Sequence, residues 1–327
     1  MDSPSPTIAA AMAAYLEAEK NANAQTGRTY GVALKKISHA LIAHGLDPAS
    51  SPPHRLTPEI IPWIVAACKG LEPSTEQLYI TVAVDFLKYL SEKDIHEVNL
   101  VKVRAAVKRH ARQAGDRIPF FPRESIETLI QHALDLRHQL AKDERDWFIN
   151  LRDGALIITL ADTGLRIHEA CKLRRGDLDF EEHKAVVIGK GNQQAIVRFS
   201  ERSIEAIRVY LRERGKLDGA TGKPLSSLPV FARHDRGAGK RVLLITPTTG
   251  RDIFERRIRE SLGEEAVGTV TPHSLRHYFV TVVLNETGNL HTAKEFARHK
   301  NIGTTEKYTH IASKDLDRDY RRVFNKG

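Results

Sequence analysis

The sequence predicts a mainly α-helical protein with a small β-sheet, divided into two domains. Apolar residues recur at helical spacing over most of the chain, whereas β-rich runs occur together in AVVIGKGNQQAIVRF. The stretch QAGDRIPFFP, with its glycine and prolines, breaks the helical period after residue 112. We therefore expect a helical bundle over residues 1–113, a linker over 114–121 and a mixed α+β domain over 122–327.

In the first domain, helical periodicity is the main signal. Residues 29–44 form an amphipathic helix with Gly45 where a C-terminal cap belongs, and Thr57 followed by proline is a helix start. A further helix opens at Ser74. The apolar faces of the first and last of these helices comprise Tyr30, Leu34, Ile37 and Leu41, and Leu78, Val82 and Phe86. We expect both faces to pack in the core of the bundle.

The last helix of this domain, over residues 100–112, is densely basic. Its cationic side chains are Lys102, Arg104, Lys108, Arg109 and Arg112. Such a row either lies in solvent or contacts phosphates, and both interpretations are open at this point.

In the second domain, the sequence predicts helices over residues 123–140 and 153–173, followed by two β-rich runs around a Gly-Lys-Gly-Asn turn. That pattern is typical of a β-hairpin with Lys190 at its tip. A helix near residues 203–213, a loop rich in glycine and proline, and further helices complete the chain. The small sheet is therefore expected in this domain alone.

Composition favours a polyanionic partner and a reducing compartment. The 327 residues contain 50 Lys and Arg against 41 Asp and Glu, a formal net charge of +9, which by itself identifies no partner. Cys68 and Cys171 are too few for a disulfide framework, which suits the cytoplasm. No stretch has the apolar length of a membrane span and no basic leader opens the chain, so we expect an untargeted protein without membrane contact.

Two cations of the second domain are candidates for binding an anion. Arg166 lies in the apolar segment IITLADTGLRI, and its permanent charge requires an anionic partner, which is either Glu169 or Asp162 or an external group. Lys190 between glycines can reach a phosphate or transfer a proton, or it is a solvated turn residue.

Two later motifs add imidazoles and a phenol. His273 and Arg276 are three residues apart in HSLRH, which places them on one helical face behind a Pro272 start signal. His299 and Tyr308 follow in ARHKNIGTTEKYTHI. A tyrosine in isolation is more often half-buried with a satisfied hydroxyl than reactive.

In order and spacing, these motifs resemble the tyrosine recombinases, the family of phage integrases and Xer recombinases. TGLR with an acidic residue three positions on, GKG before a second β run, HxLRH, and a histidine nine residues before a tyrosine match the family's pattern. The resemblance covers the second domain and implies a supporting role for Glu169. The active-site set that it implies is Arg166, Lys190, His273, Arg276, His299 and Tyr308.

The resemblance also implies a reaction and partners. Tyr308 would attack a DNA phosphodiester to give a 3′-phosphotyrosine, and another 5′-hydroxyl would reseal the strand without ATP, metal or other cofactor. Double-stranded DNA would lie between the helical domain and the catalytic domain. Four protomers would assemble on two DNA sites and pass through a Holliday junction, with an accessory directionality factor possible, in the cytoplasm at the nucleoid.

The chain departs from the family's pattern at two places. Ala297 and Arg298 stand where Leu-Gly usually precedes the histidine, and Arg298 could add a phosphate contact. Gln193 and Gln194 replace basic residues often found after the GKG turn, so contacts from the hairpin to the DNA backbone are expected to be weaker.

Other readings of the sequence are less well supported. A type IB topoisomerase, a non-cutting DNA-binding protein of the same fold and a metal-dependent nuclease are the alternatives. No carboxylate cluster suits Mg²⁺, and His291, His299 and His310 lack the accompanying pattern of a zinc site. In the tail, Tyr320, Val323 and Phe324 form a short amphipathic end that could dock on a neighbouring protomer or on its own domain.

Overall fold

The computed structural model describes residues 6–112, 122–189 and 194–298. The chain divides into two compact units, Met1–Arg117 and Ile118–Gly327. The expected linker, and the tail residues Tyr320, Val323 and Phe324, lie outside the described residues. Within the described ranges no helix is long and apolar enough to cross a bilayer.

The described part of the first unit is helical, as expected. Side-chain caps fix two of its helix starts: Thr7 accepts the N–H of Ala10 at 3.2 Å, and Asn99 accepts the N–H of Lys102 at 3.0 Å. Its helices are α1 Ile8–Ala22, α2 Ala24–Ala43, α3 Ile60–Cys68, α4 Pro73–Glu92 and α5 Leu100–His110.

The predicted apolar faces form the core of this unit. Leu34, Ile37 and Leu41 of α2 are buried with Val82 and Phe86 of α4. Tyr30 and Leu78 are partly buried against the same cluster. Gly45 has a φ of 76°, which confirms the left-handed residue expected after α2.

One predicted helix start was wrong. α3 begins at Ile60, and the hydroxyl of Thr57 donates to the carboxylate of Glu59 at 3.0 Å instead of capping a helix at its own position.

The second unit combines helices with one small sheet, which confirms the predicted fold class. Its helices are α6 Arg123–Asp135, α7 Glu144–Thr163, α8 Ile167–Lys172, α9 Glu201–Glu213, α10 Gly215–Gly219, α11 Pro247–Leu262, α12 Pro272–Thr287 and α13 Leu290–Ala297. Its strands are β1 Leu178–Asp179, β2 Lys184–Ile188 and β3 Gln194–Arg198.

The sheet is antiparallel in the order β1-β2-β3. Pairing of Ala185 with Val197 puts both side chains on the buried face, whereas Val186 and Ile196 are paired on the exposed face. The hairpin strands were predicted and the short β1 was not. Lys190, at the predicted tip, lies outside the described residues.

A single helix over residues 153–173 was a wrong prediction. α7 begins at Glu144, where Asp143 accepts the N–H of Asp146 at 2.7 Å, and it ends before Gly164. Gly164 is left-handed, with φ 61° and ψ 19°, and Arg166 is extended before α8 begins. The TGLR motif therefore forms a turn between two helices and does not continue a helix.

Buried arginines connect the elements of the second unit. Asp153 of α7 is fully buried and binds Arg152 at 2.7 Å and Arg257 of α11 at 2.8 Å. Burial opposes its ionisation, but the neighbouring arginines outweigh that effect and lower its pKa. Arg214 and Asp218, also buried, are 2.8 Å apart. Each of these pairs is stable because its charges and donors are matched inside the unit.

The turn at Gly164 generates a stability prediction. A Cβ at this position would lie 2.5 Å from Cδ1 of Phe279, and the φ of 61° is itself unfavourable for alanine. We expect Gly164→Ala to lower the free energy of unfolding by about 2–4 kcal/mol, the sum of both effects. Chemical denaturation monitored by circular dichroism measures it.

Gly288→Ala is the matched control, because Gly288 also has a φ of 61° but no atom lies within 4 Å of its Cβ position. It should lose only about 1–2 kcal/mol. Equal losses in the two variants would contradict a role for the Phe279 contact.

Candidate active site

Arg166 occupies the turn between α7 and α8 and is held by one carboxylate. Its backbone N–H donates to Oε2 of Glu169 at 2.9 Å, and its Nη1 donates to Oε1 at 3.1 Å. The side chain is nevertheless 44% exposed. The ion pair with Glu169 that the sequence left open is thus present, and it leaves part of the guanidinium facing solvent.

Glu169 is the buried acid of this group, with a side chain 2% exposed. Its Oε2 also accepts Nη2 of Arg298 at 3.0 Å. Burial opposes ionisation, but the charge of Arg298, the N–H of Arg166 and the charge of Arg166 together lower the pKa of Glu169. The carboxylate is therefore ionised at neutral pH and holds both arginines.

Arg276 reaches two other chain segments from the first turns of α12. It is 2% exposed. Its Nη1 donates to the carbonyl of Gly164 and its Nη2 to the carbonyl of Ala297. One guanidinium thus binds the chain at the end of α7, two residues before Arg166, and at the end of α13, one residue before Arg298.

His273 lies one helical turn before Arg276, as its spacing predicted. Thr271 caps α12 and Pro272 occupies its first turn, which fixes the helix start that presents His273 at the surface. Partial burial of the ring and the charges of Arg276 and Arg166 lower its pKa. A lowered pKa keeps this imidazole neutral, and hence able to accept a proton, at neutral pH.

His277 is a neighbour whose part in the site the sequence analysis missed. Its ring meets that of His273 edge to face with centroids 4.2 Å apart. Burial, then His273 and Arg276, lower the pKa of His277 to about 4. The signal was available, because His277 is the last residue of the HSLRH motif and follows His273 by one helical turn.

Arg298 is placed differently from the expected phosphate contact. It ends α13 in the left-handed region, with φ 55° and ψ 43°, and its side chain is 14% exposed. Its guanidinium points to Glu169. The departure from the family's Leu-Gly pair thus adds a third charged residue to the Arg166 and Glu169 group.

The remaining members of the expected set, Lys190, His299 and Tyr308, lie outside the described residues. Lys190 follows Gly189 after β2, and His299 follows Arg298 directly. Among the described residues, no group of His, Cys, Asp and Glu could hold a metal ion. Of the expected residues that are described, Arg166 and Glu169 are in direct contact, and Arg298 joins them. Arg276 binds the carbonyl of Gly164, two residues before Arg166, and the charges of both arginines act on His273.

The basic row predicted over residues 100–112, most of which lies on α5, separates into two groups. Arg112 is tied to its own unit, with Nε 3.1 Å from the buried carboxylate of Glu76. The other four cations of the row lie on exposed positions: Lys102, Arg104, Lys108 and Arg109. These four are available to an anionic partner, whereas Arg112 stabilises the end of the bundle.

Comparison with known proteins agrees with this set of residues. The model of the phage integrase family matches residues 119–315, which is more than half of the chain. The chain belongs to the phage integrase family. Its relatives in this family of tyrosine recombinases include tyrosine recombinase XerC of Bacillus pumilus (strain SAFR-032). The two are 30% identical over 309 residues, 94% of this chain and 92% of that protein.

A second relative is tyrosine recombinase XerC of Staphylococcus aureus (strain USA300 / TCH1516). It is 31% identical over 206 residues, and the match covers 62% of this chain and 59% of the length of that protein.

Solved structures share the fold of this recombinase. XerH bound to palindromic difH substrate, in a post-cleavage complex, has a TM-score of 0.68 at 18% identity, covering 92% of this chain and 81% of that one. The Tn1549 transposon integrase in complex with transposon right end DNA has a TM-score of 0.65 at 18% identity, covering 98% and 99%. At these identities the likeness establishes the fold.

The low pKa of His277 predicts how the free energy of unfolding depends on pH. Because its pKa is about 4 in the folded protein, the unfolded chain takes up a proton below pH 6.5 that the folded chain does not. Stability is therefore full above 6.5 and falls as pH drops toward 4, by about 1–3 kcal/mol from this group.

We expect His277→Gln to show a shallower loss of unfolding free energy between pH 6.5 and 4 than the wild type, measured by urea denaturation at several pH values. His138→Gln, at an exposed histidine, is the control and should parallel the wild type. Parallel curves for all three proteins would contradict the assignment to His277.

Proposed function

We propose that this tyrosine recombinase cleaves and rejoins DNA at specific sites through a 3′-phosphotyrosine on Tyr308. The observation that carries the proposal is the Arg166, Glu169 and Arg276 arrangement beside a neutral His273. It provides fixed positive charge and a proton acceptor in one place, which are the two needs of phosphodiester transesterification. The family's motif order supplies Lys190, His299 and Tyr308.

The arginines address the negative charge that protects a phosphodiester. Among the described residues the guanidinium of Arg166 binds only Glu169, through Nη1, so its other N–H groups can donate to non-bridging phosphate oxygens. Arg276 adds a second positive charge, which is buried and held by the carbonyls of Gly164 and Ala297. Both charges stabilise the charge that grows on the phosphate in the transition state.

Proton transfers complete the reaction. An unperturbed tyrosine has a pKa of about 10, so Tyr308 needs a base as it attacks, and His273 is neutral and suited to accept that proton. Lys190 would protonate the departing 5′-oxygen, and His299 would donate a hydrogen bond to the phosphate. The phosphotyrosine retains the energy of the broken bond, so a second 5′-hydroxyl reseals the strand without ATP or metal.

The partners follow from the same proposal. XerH on difH substrate and the Tn1549 integrase on transposon DNA are DNA complexes of the same fold, which supports duplex DNA as the substrate. The helical unit would bind DNA through α5. Assembly of four protomers on two sites, with a Holliday junction intermediate, would give strand exchange. An accessory factor could set its direction. We expect a protein with this activity to act at the nucleoid, in the cytoplasm.

A covalent-trapping assay tests the chemistry. Duplex DNA selected for binding from fragments of the source genome would be nicked near its centre, so that the cleaved end diffuses away, and incubated in EDTA. We expect a slower protein–DNA band on a denaturing gel for the wild type and none for Tyr308→Phe, because the phenol oxygen forms the bond. An equal band from Tyr308→Phe would refute the assignment of the nucleophile.

The same assay separates the roles of the other residues. Lys190→Ala should slow cleavage about 10²–10⁴-fold on normal DNA. Replacing the leaving 5′-oxygen by sulfur should restore much of that loss, since a thiolate leaves without a proton. Wild type that binds the selected DNA but forms no adduct would favour the non-cutting alternative, and adduct without strand exchange would favour a topoisomerase.

Salt dependence tests the α5 contribution. We expect Lys108→Ala to weaken binding to a random-sequence duplex and to reduce the slope of log K against log salt by about one, as one phosphate contact is lost. Fluorescence anisotropy from low to moderate salt measures it. Lys88→Ala, at a lysine paired with Glu92 at 3.0 Å on α4, is the control and should keep the wild-type slope. Equal slopes for the wild type and both variants would contradict a contact between α5 and DNA.

A further inference from the structure

Arg298 lies where the backbone itself does not favour an arginine. Its φ of 55° and ψ of 43° are left-handed, a conformation that suits glycine, and the family's pattern has glycine at this position. An arginine here must be stabilised by what its side chain contacts. That contact is the carboxylate of Glu169, 129 residues away in the chain.

The contact is well shielded from water. The Arg298 side chain is 14% exposed and that of Glu169 is 2% exposed, so solvent screens the pair weakly. The charge of Arg298 also lowers the pKa of Glu169 more than the charge of Arg166 does. The pair is therefore a built-in part of the catalytic unit and not a surface ion pair.

Both carboxylate oxygens of Glu169 accept hydrogen bonds from the two arginines. Oε1 accepts Nη1 of Arg166 at 3.1 Å, whereas Oε2 accepts the backbone N–H of Arg166 at 2.9 Å and Nη2 of Arg298 at 3.0 Å. Arg298 thus shares Oε2 with the backbone N–H of Arg166. The guanidinium of Arg166 makes one hydrogen bond to this carboxylate, through Nη1, which leaves its other donors for phosphate.

The end of α13 is anchored twice. Arg276 binds the carbonyl of Ala297, and Glu169 binds the side chain of the next residue, Arg298. The chain that continues to His299 therefore starts from a point fixed to both α8 and α12. Without the ion pair, one of these two attachments is lost.

We propose that Arg298 is a positioning residue of the recombination reaction and not a DNA contact. Its ion pair with Glu169 sets, through one carboxylate, both the orientation of Arg166 toward the phosphate and the origin of the segment that carries His299 and Tyr308. This role rests on the proposed function. It predicts that Arg298 acts on the cleavage step, whereas a phosphate contact would act on binding.

Arg298→Gly separates the two roles, because glycine suits the left-handed backbone and removes only the side chain. Rates of adduct formation would be measured in single turnover with the nicked duplex at saturating protein, alongside affinity and its salt slope. We expect cleavage to slow about 10–100-fold, with affinity and salt slope unchanged. Arg298→Lys should recover part of the rate, because an ammonium can still pair with Glu169.

A double-mutant cycle with Glu169→Gln tests the pathway. If Arg298 acts through Glu169, the double variant should cleave no more slowly than Glu169→Gln alone. Arg259→Gln is the control for loss of an arginine, because Arg259 of α11 forms an exposed pair with Glu264 at 2.7 Å. This variant should cleave at the wild-type rate.

Three results would overturn the role of Arg298. They are an unchanged cleavage rate in Arg298→Gly, a fall in affinity with a salt slope reduced by about one, and additive effects with Glu169→Gln. Each of these presupposes adduct formation by the wild type. No adduct from wild type on DNA that it binds would instead refute the proposed function, and this role with it.

Discussion

The buried carboxylate of Glu169 is the interaction on which the catalytic unit depends. An ionised acid with 2% of its side chain exposed is stable only because Arg166, Arg298 and a backbone N–H supply its donors. Those same donors fix the turn after α7 and the end of α13. Arg276 then joins the two segments through their carbonyls. The contacts that stabilise this part of the unit are thus the same contacts that position its cations.

Local signals in the sequence were sufficient for the helices and for most of the described site. Helical spacing identified the buried face of α2, and the three-residue spacing placed His273 and Arg276 on one side of α12. The start of α7 at Glu144 lies nine residues earlier than expected. Local signals for it were present, namely the Asp143 cap and the buried Phe148 and Leu151 at helical spacing. Local rules also left Arg298 as a candidate phosphate contact, whereas its partner Glu169 lies 129 residues away in the chain. Tertiary contacts of that range leave no periodic pattern.

The formal net charge includes buried cations that a polyanion cannot contact. Arg152, Arg214 and Arg257 of the second unit are at most 4% exposed and are neutralised by Asp153 and Asp218. They stabilise packing between helices, and replacing one partner of such a pair leaves a buried charge unmatched. The formal value of +9 therefore counts structural arginines together with exposed ones such as those of α5. Surface position, more than composition, identifies the residues that contact DNA.

The turn at Gly164 has a consequence for control of the enzyme. Arg166 is the residue that precedes α8, and its backbone and side chain bind the same glutamate. Displacing the backbone of Arg166 would break the hydrogen bond to Glu169 at the start of α8. Under the proposed function, the position of the phosphate-binding Arg166 is thus set by contacts within its own unit. Control of strand breakage would then fall to other residues of the proposed reaction.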